Sequence, residues 1–442
     1  MKILFSNPPW WEVDPVTKRQ RAGVRAGSRW PFTHFVSSVA DRPVFGEYVP
    51  YPFFMGYAAT YAAKQTGATV RLRDSIVMRE SYQAYLSYLT KERPDYIFIE
   101  SATPSWEHDT QVILGIHQHL PDTKIVVCGP ITGIKSHEIL RDLPVTACIK
   151  GEYEKGAVKV VRGATGILEH DLLTEVEMNA APFPYNDQWM AARYCDANPR
   201  GQVFPHAQVW SSRGCPFKCI FCVWPATMTG NDPDGTHRRS VRHYSPEYME
   251  AHLSDLVARF HFNSIYFDDD TFNLGNSHVL KMCEVMRKVR KPWSAMCRAD
   301  TIKMETWRAM RDSGCFGVKL GFESGSQFVV DKIVNKNLDL GYARQVVFEL
   351  KRLGMTVHGT FTYGLPGETK EQMMETKQYI ASMPLDSLQE SGTAEIEGTP
   401  LHTLRTTGKL AAYAAASMDK DYVREANGVR KFESVINELV NG

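Results

Sequence analysis

The chain has 442 residues, enough for two or three domains with real cores. Its 51 lysines and arginines against 50 aspartates and glutamates leave a formal charge of +1, which argues against a broad nucleic-acid or anionic-membrane footprint. No apolar run approaches the roughly 18 residues that a membrane span needs, and residues 1–9 lack the features of a signal peptide.

Residues 2–6 read as a short buried strand, 53–65 as a helix ended by Gly67, 69–73 as a strand and 81–92 as a helix stopped near Pro94. Strand 95–100, helix 108–119, strand 124–128, helix 135–142 and strand 145–149 follow. This alternation predicts a doubly wound parallel sheet, covered on both faces, over residues 1–151. Ligands of such sheets sit outside the carboxyl ends of the strands, near the switch point. Three loops at such ends, 6–10, 101–105 and 129–133, carry small residues that let a large flat ligand approach the backbone. No G-x-G-x-x-G follows the first strand, so a dinucleotide is disfavoured. The segment 10–50 carries Lys18, Arg19, Arg21, Arg25 and Arg29 among aromatics and prolines. It reads equally well as a lid over a ligand and as a solvated basic loop.

Residues 152–204, with Pro182, Pro184 and Pro199, read as a linker. The alternation then restarts. Strand 207–211 comes first, and helix 246–260 opens on Ser245 and Pro246 with Met249, Leu253, Leu256 and Phe260 as its apolar stripe. Strands at 263–267, 293–297, 317–321, 356–361 and 386–394 complete six strand–helix units over 205–404, which fit a partial (βα)6 barrel with its chemistry at the carboxyl ends of the strands. Residues 405–442 read as a helical tail capping the barrel mouth.

The first barrel strand leads into a run in which Cys215, Cys219 and Cys222 have the spacing C-x3-C-x2-C. A fully protein-ligated [4Fe–4S] cube takes four cysteines. Three on one loop leave one iron open to an exchangeable ligand. The rival is structural zinc with His206 or His237 as fourth ligand, but no second C-x2-C occurs. The other six cysteines, Cys128, Cys148, Cys195, Cys283, Cys297 and Cys315, sit mostly in apolar runs and read as free thiols of a reducing, cytoplasmic compartment.

With Phe221 just before its third cysteine, the run resembles the signature loop of the radical S-adenosylmethionine (SAM) superfamily. The first domain resembles the cobalamin-binding module that precedes the barrel in one class of these enzymes. The match rests on the Asn-Pro-Pro opening, the Gly-Pro loop after the fourth strand and Lys150-Gly-Glu-Tyr-Glu154. The histidine motif D-x-H-x-x-G of other cobalamin proteins is absent, and His108 reads as a helix-start residue rather than a cobalt ligand.

The resemblance implies that SAM chelates the open iron and is cleaved to a 5′-deoxyadenosyl radical. It implies SAM contacts from Phe221, from Asp268, Asp269 and Asp270 after the second strand, from Arg298 after the third, and from Glu323 and Ser324 after the fourth. An acidic turn or divalent-metal site is the alternative for the aspartates, and an Arg298–Glu323 ion pair for the other two. Turns at 364–369 and 397–400 match later motifs. Cobalamin contacts are expected from Asn7, Pro8, Ser101, Thr103, Gly129, Pro130 and Gly133.

The implied enzyme is a cobalamin-dependent radical SAM methyltransferase. It would act on an unactivated carbon or a phosphinate phosphorus of a small molecule or peptide, with flavodoxin or ferredoxin as electron donor and no nucleic-acid or membrane partner. The same cofactors could instead serve cyclisation, ring contraction or oxidation. A cluster-bearing sensor without turnover is the non-enzymatic alternative.

Overall fold

Two six-stranded parallel sheets follow one another along the chain. The structure is a computed structural model that describes residues 1–13, 20–23, 32–34, 48–188, 190–197, 199–223, 228, 240–393 and 395–409. The first sheet contains β1 (Lys2–Asn7), β2 (Thr69–Asp74), β3 (Tyr96–Glu100), β4 (Lys124–Cys128), β5 (Ala147–Ile149) and β6 (Gly166–Leu168). Their order is β6-β5-β4-β3-β1-β2, parallel throughout. All of β3 is buried, as expected of a strand covered on both faces. The order reverses between β1 and β3, so loops 6–10 and 101–105 flank the switch point.

Helices α1 (Phe53–Thr66), α2 (Tyr82–Glu92), α3 (Trp106–His119) and α4 (Thr132–Asp142) fill the connections. Gly67 ends α1 at φ 66°, where glycine carries no Cβ penalty, and its N–H bonds the Ala63 carbonyl. Helix α4 begins earlier than its sequence pattern implies. Thr132 Oγ1 donates to the carbonyls of Gly129 and Ile149, both at 2.8 Å, and closes the first turn. Gly133 therefore lies inside the helix rather than in the loop.

Residues 152–204 do more than link. They carry α5 (Glu154–Val161), the edge strand β6 and a short helix, Glu175–Ala180, whose Thr174 and Glu177 cap each other. Strand β6 is three residues long and opens on Gly166, outside any longer apolar run.

The second sheet contains β7 (His206–Val209), β8 (Ser264–Phe267), β9 (Trp293–Cys297), β10 (Cys315–Glu323), β11 (Thr356–Tyr363) and β12 (Ser387–Gly392), parallel and in chain order. Helices α6 (Pro246–Phe260), α7 (Asn276–Val289), α8 (Met304–Asp312), α9 (Leu340–Arg352), α10 (Lys370–Ala381) and α11 (Pro400–Thr406) alternate with them. This is the partial (βα)6 barrel. Ser245, Asp339 and Thr369 each cap the helix that follows by accepting a backbone N–H.

Residues 11–13, 20–23 and 32–34 form a small antiparallel sheet, so Arg21 lies on a strand. Lys18, Arg19, Arg25, Arg29, His237 and the tail from 410 lie outside the described residues. Among the described residues no helix is long and apolar enough to cross a membrane.

A buried charge cluster joins the two sheets. Arg213, beside the cysteine run, bonds Glu154 at 2.8 Å and lies 3.2 Å from Glu152, both in the run that leaves the first domain. Arg242 closes on Glu152 with two bonds of 3.0 and 2.6 Å. The Tyr244 hydroxyl accepts twice from Arg213, whose guanidinium also lies 4.5 Å from the Tyr57 ring centroid on α1. Burial pushes both carboxyls up. The two arginines overcome it at Glu152, which is held below the usual carboxylate range, while Glu154 stays above it.

Removing one member would strand buried charge. Arg213→Ala is expected to lose about 3–5 kcal/mol of unfolding free energy in urea titrations. A loss under about 1 kcal/mol would show that the cluster does not hold the sheets together.

Candidate active site

The carboxyl ends of the barrel strands surround a cavity of about 400 Å³. Its lining divides into three parts. Cys215, Cys219, Cys222, Phe217 and Phe221 come from the cysteine loop. Asp268, Asp269, Asp270, Arg298, Glu323, Lys336, Thr360, Thr362, Gln389, Ser391 and Thr393 come from barrel strand ends and loops. Phe53, Phe54 and Glu152 come from the side of the first sheet.

The cysteine loop is pinned at its base. Residues 212–213 pair antiparallel with 242–243. Further along, the Ile220 N–H bonds the Val334 carbonyl at 3.1 Å, and Leu401 N–H bonds the Ile220 carbonyl at 2.9 Å. Cys219 and Phe221 pack against Phe328, Val329, Ile333, Val334 and Leu365. The three motif cysteines are half-buried and face the cavity, whereas the other six are buried. Burial lifts the Cys215 thiol to about 11, so its thiolate at neutral pH calls for a bound cation.

His206 is not placed as a fourth ligand. It is buried, its Nε2 accepts the Asp196 N–H at 3.2 Å, and it does not line the cavity. Among the described residues no three His, Cys, Asp or Glu side chains gather on one metal ion.

The three aspartates have different tasks. Asp269 is fully buried and accepts from Ser211 N (3.1 Å), Ser211 Oγ (2.9 Å) and Ser212 Oγ (2.6 Å). It anchors the start of the cysteine loop and also lines the cavity. Burial raises it to about 7. Asp268 takes the Tyr266 hydroxyl at 2.8 Å, and its carbonyl accepts the Trp210 indole N–H at 3.0 Å. Asp270 faces the cysteines closely enough to help raise Cys215.

Arg298 and Glu323 do not pair with each other. Arg298 bonds Asp300 at 2.5 and 2.9 Å, donates through Nη2 to the Lys336 carbonyl at 2.6 Å, and lies 3.8 Å from the Phe217 ring centroid. Its Nη1 is buried without a partner. Glu323 pairs with Lys336 at 2.7 Å. Ser324 follows the last residue of β10, does not line the cavity, and is buried with its Oγ 3.0 Å from Thr376 Oγ1. In the 364–369 turn, Gly364 and Leu365 donate backbone N–H groups to Glu368.

The sequence reading missed Lys336, Phe53, Phe54, Trp210 and the hydroxyl and amide wall of β11 and β12. Trp210 stacks on Phe53 with ring centroids 4.1 Å apart and planes 10° apart, so helix α1 and the barrel share one aromatic wall. A tryptophan directly before the cysteine loop was the available signal.

None of the seven residues expected to bind cobalamin lines this cavity. They gather instead at the switch-point end of the first sheet and on the β4–α4 connection. There Ser101 Oγ and Thr103 Oγ1 are buried without partners, which suits a ligand with polar groups. Asn7 is held by a 2.9 Å bond to Asp74. Gly129 accommodates a close approach of the chain after β3. At φ 96° a Cβ there would meet the Ser101 carbonyl at 2.3 Å, so its small size lets chain approach chain. Pro8 and Pro130 sit in the loops after β1 and β4. A Cβ at Gly133 would meet open space. His108 bonds the Pro9 carbonyl at 2.8 Å and so anchors the loop after β1.

Comparison with known proteins bears on this arrangement. Residues 211–380 match the model of the radical SAM superfamily. The chain carries a radical SAM domain. An uncharacterized methyltransferase of Pyrococcus horikoshii is 23% identical over 375 residues, spanning 79% of this chain and 77% of that protein. The cytidylyl-2-hydroxyethylphosphonate methyltransferase of Streptomyces wedmorensis is 26% identical over 240 residues, spanning 51% of this chain and 43% of that one.

Among solved structures, the radical SAM methyltransferase TsrM from Kitasatospora setae, with tryptophan substrate and a SAM analog bound, has a TM-score of 0.63 at 16% identity. The match covers 90% of this chain and 74% of that one, so the shared fold extends past the radical SAM domain. A second TsrM structure, with cobalamin and a [4Fe–4S] cluster bound, has the same TM-score at 14% identity, over 90% and 76% of the two chains.

Two outcomes follow from this geometry. Replacing any one of Cys215, Cys219 or Cys222 by Ala is expected to cut the iron of anaerobically reconstituted protein from about four atoms per chain to below about one, measured by iron assay. The second concerns Asp269, whose carboxyl is pushed by burial from the ordinary aspartate range up to about 7. A raised carboxyl contributes stability that is full below its unfolded pKa and is lost as pH rises through the folded one. Wild-type urea midpoints should therefore fall between about pH 4 and about pH 8 more steeply than those of Asp269→Asn.

Proposed function

We propose that the protein is a cobalamin-dependent radical SAM methyltransferase. One observation carries the reading. A cavity walled by three cysteines, a buried unpartnered guanidinium nitrogen and an ion-paired carboxylate opens toward aromatic rings of the adjoining sheet domain. When bound, the cluster supplies one-electron cleavage of SAM and cobalamin supplies a methyl carrier.

The chain's own residues do the rest. Cys215, Cys219 and Cys222 hold three irons of a cube and leave the fourth open. Arg298 Nη1, a donor lacking an acceptor, suits the SAM carboxylate. Glu323 offers a carboxylate to the ribose hydroxyls or the amine, and Asp270 reinforces the acidic side. Phe53, Phe54 and Trp210 keep water from the gap between the domains. Ser101 and Thr103 offer hydroxyls to cobalamin at the switch point.

The substrate of this reading is an unactivated carbon, or a phosphinate phosphorus, of a small molecule or peptide. The phosphonate methyltransferase relative supports a phosphorus-bearing candidate, and the tryptophan substrate bound in the TsrM structure supports a small-molecule one. Flavodoxin or ferredoxin would supply electrons in a reducing cytoplasm. Residues 1–151 with strand β6 would form the cobalamin unit, and 205–404 the radical unit.

The test is anaerobic reconstitution with iron, sulfide and hydroxocobalamin, followed by SAM and a low-potential reductant. Iron–sulfur and cobalamin absorption bands, with 5′-deoxyadenosine and S-adenosylhomocysteine as products, are expected. Zinc at the trio, or intact SAM after reduction, overturns the reading.

A further inference from the structure

Lys336 lies in the loop between the π-turn Val329–Ile333 and α9, and no strand end or motif marks it. It is 7% exposed, it lines the cavity, and its ammonium pairs with Glu323 at 2.7 Å. A buried ion pair is weak evidence for stability, because desolvation offsets the Coulomb gain. Its retention here needs another explanation.

The backbone around the pair makes unusual concessions to it. Glu323 sits at φ 72°, a left-handed conformation that non-glycine residues seldom adopt, and the β10–β11 register shifts beside it. The residues flanking Lys336, Asn335 and Asn337, are left-handed as well, at φ 59° and 52°. Gly321 leaves room: a Cβ there would lie 2.7 Å from Glu323 Oε1 and 2.8 Å from Lys336 Nζ. The Lys336 carbonyl also receives Arg298 Nη2, which orients the guanidinium whose Nη1 has no partner. Three separate deviations thus converge on one charged pair at the wall of the cavity.

We infer that Lys336 is a positioning residue for SAM, which holds the Glu323 carboxylate through its ammonium and the Arg298 guanidinium through its carbonyl. The pair gives Glu323 a single orientation toward donor groups of SAM, while Arg298 is aimed at an acceptor. Without the ammonium, Glu323 would turn toward water or toward Thr362, whose hydroxyl is already 3.4 Å away. The inference rests on the reading of this cavity as the SAM site.

The experiment measures SAM affinity of the cluster-loaded protein by equilibrium dialysis under anaerobic conditions, without turnover. Lys336→Met is expected to weaken SAM binding about tenfold or more, with iron content kept and the thermal midpoint lowered by the unpaired Glu323 carboxylate. Lys336→Arg should recover most of the affinity, and Glu323→Gln combined with Lys336→Met should bind no more weakly than Lys336→Met alone. Gly321→Ala tests the same pair without removing either charge and should also weaken binding, which covers the case in which Lys336→Met fails to fold. Wild-type affinity in Lys336→Met or in Gly321→Ala overturns the inference and leaves the proposed function standing. A wild-type protein that binds no SAM overturns both.

Discussion

The arrangement depends on a charge cluster that neither sheet could keep by itself. Arg213 belongs to the loop that carries the cysteines, and Glu152 and Glu154 belong to the chain as it leaves β5. Each buried carboxylate is tolerable only because a guanidinium from across the domain boundary neutralises it. The cluster therefore does more than stabilise. It sets where the cysteine loop stands relative to α1, and so which aromatic rings face the cavity. Tyr57 and Tyr244, which pack on Arg213, extend that constraint from the charged centre into the apolar junction.

The cavity built on this frame has walls of contrasting chemistry. On the barrel side are charged groups almost all of which already have partners: Asp269 on two serines, Asp268 on Tyr266, Glu323 on Lys336 and Arg298 on Asp300. Preorganised polar groups of this kind need little reorientation when a charged ligand arrives. Toward the first sheet the wall is aromatic, with Trp210 stacked on Phe53 and edge-on to Phe54. A site with one polar and one aromatic face can hold a reactive fragment on the first and shield it from water with the second. The left-handed Glu323 stands where these demands meet at the end of β10.

Much of this was legible before any coordinates. Both strand–helix alternations show as short apolar runs punctuated by Gly, Pro and capping residues, and eleven of the twelve strands of the two sheets fall where those runs lie. Strand β6 escaped because its three residues, Gly166-Ile-Leu168, stand in no longer apolar run and lie in a stretch read as a linker, whereas the equally short β5 sits in the apolar run 145–149. The early start of α4 escaped because it depends on Thr132 reaching the Ile149 carbonyl on another strand. In the site, the cysteine trio was plain, and Arg298 and Glu323 stood out as charges at strand ends. Their partners were not readable. Lys336 reaches Glu323 only through a loop that folds back, and Asp300 sits nearer to Arg298 than the glutamate the sequence suggested.

By itself, the sequence determined what is local: three thiols close enough on one loop to share a cluster, and two successive patterns of alternating strands and helices. Spacing along the backbone suffices for both, since neighbours in the chain are neighbours in space. Only the tertiary structure decided which charges neutralise one another, that Glu323 lines the cavity while Ser324 does not, and that α1 lends its aromatic rings to a barrel far along the chain. Those outcomes follow from burial, which forces each polar group to find a partner among whatever folding brings near.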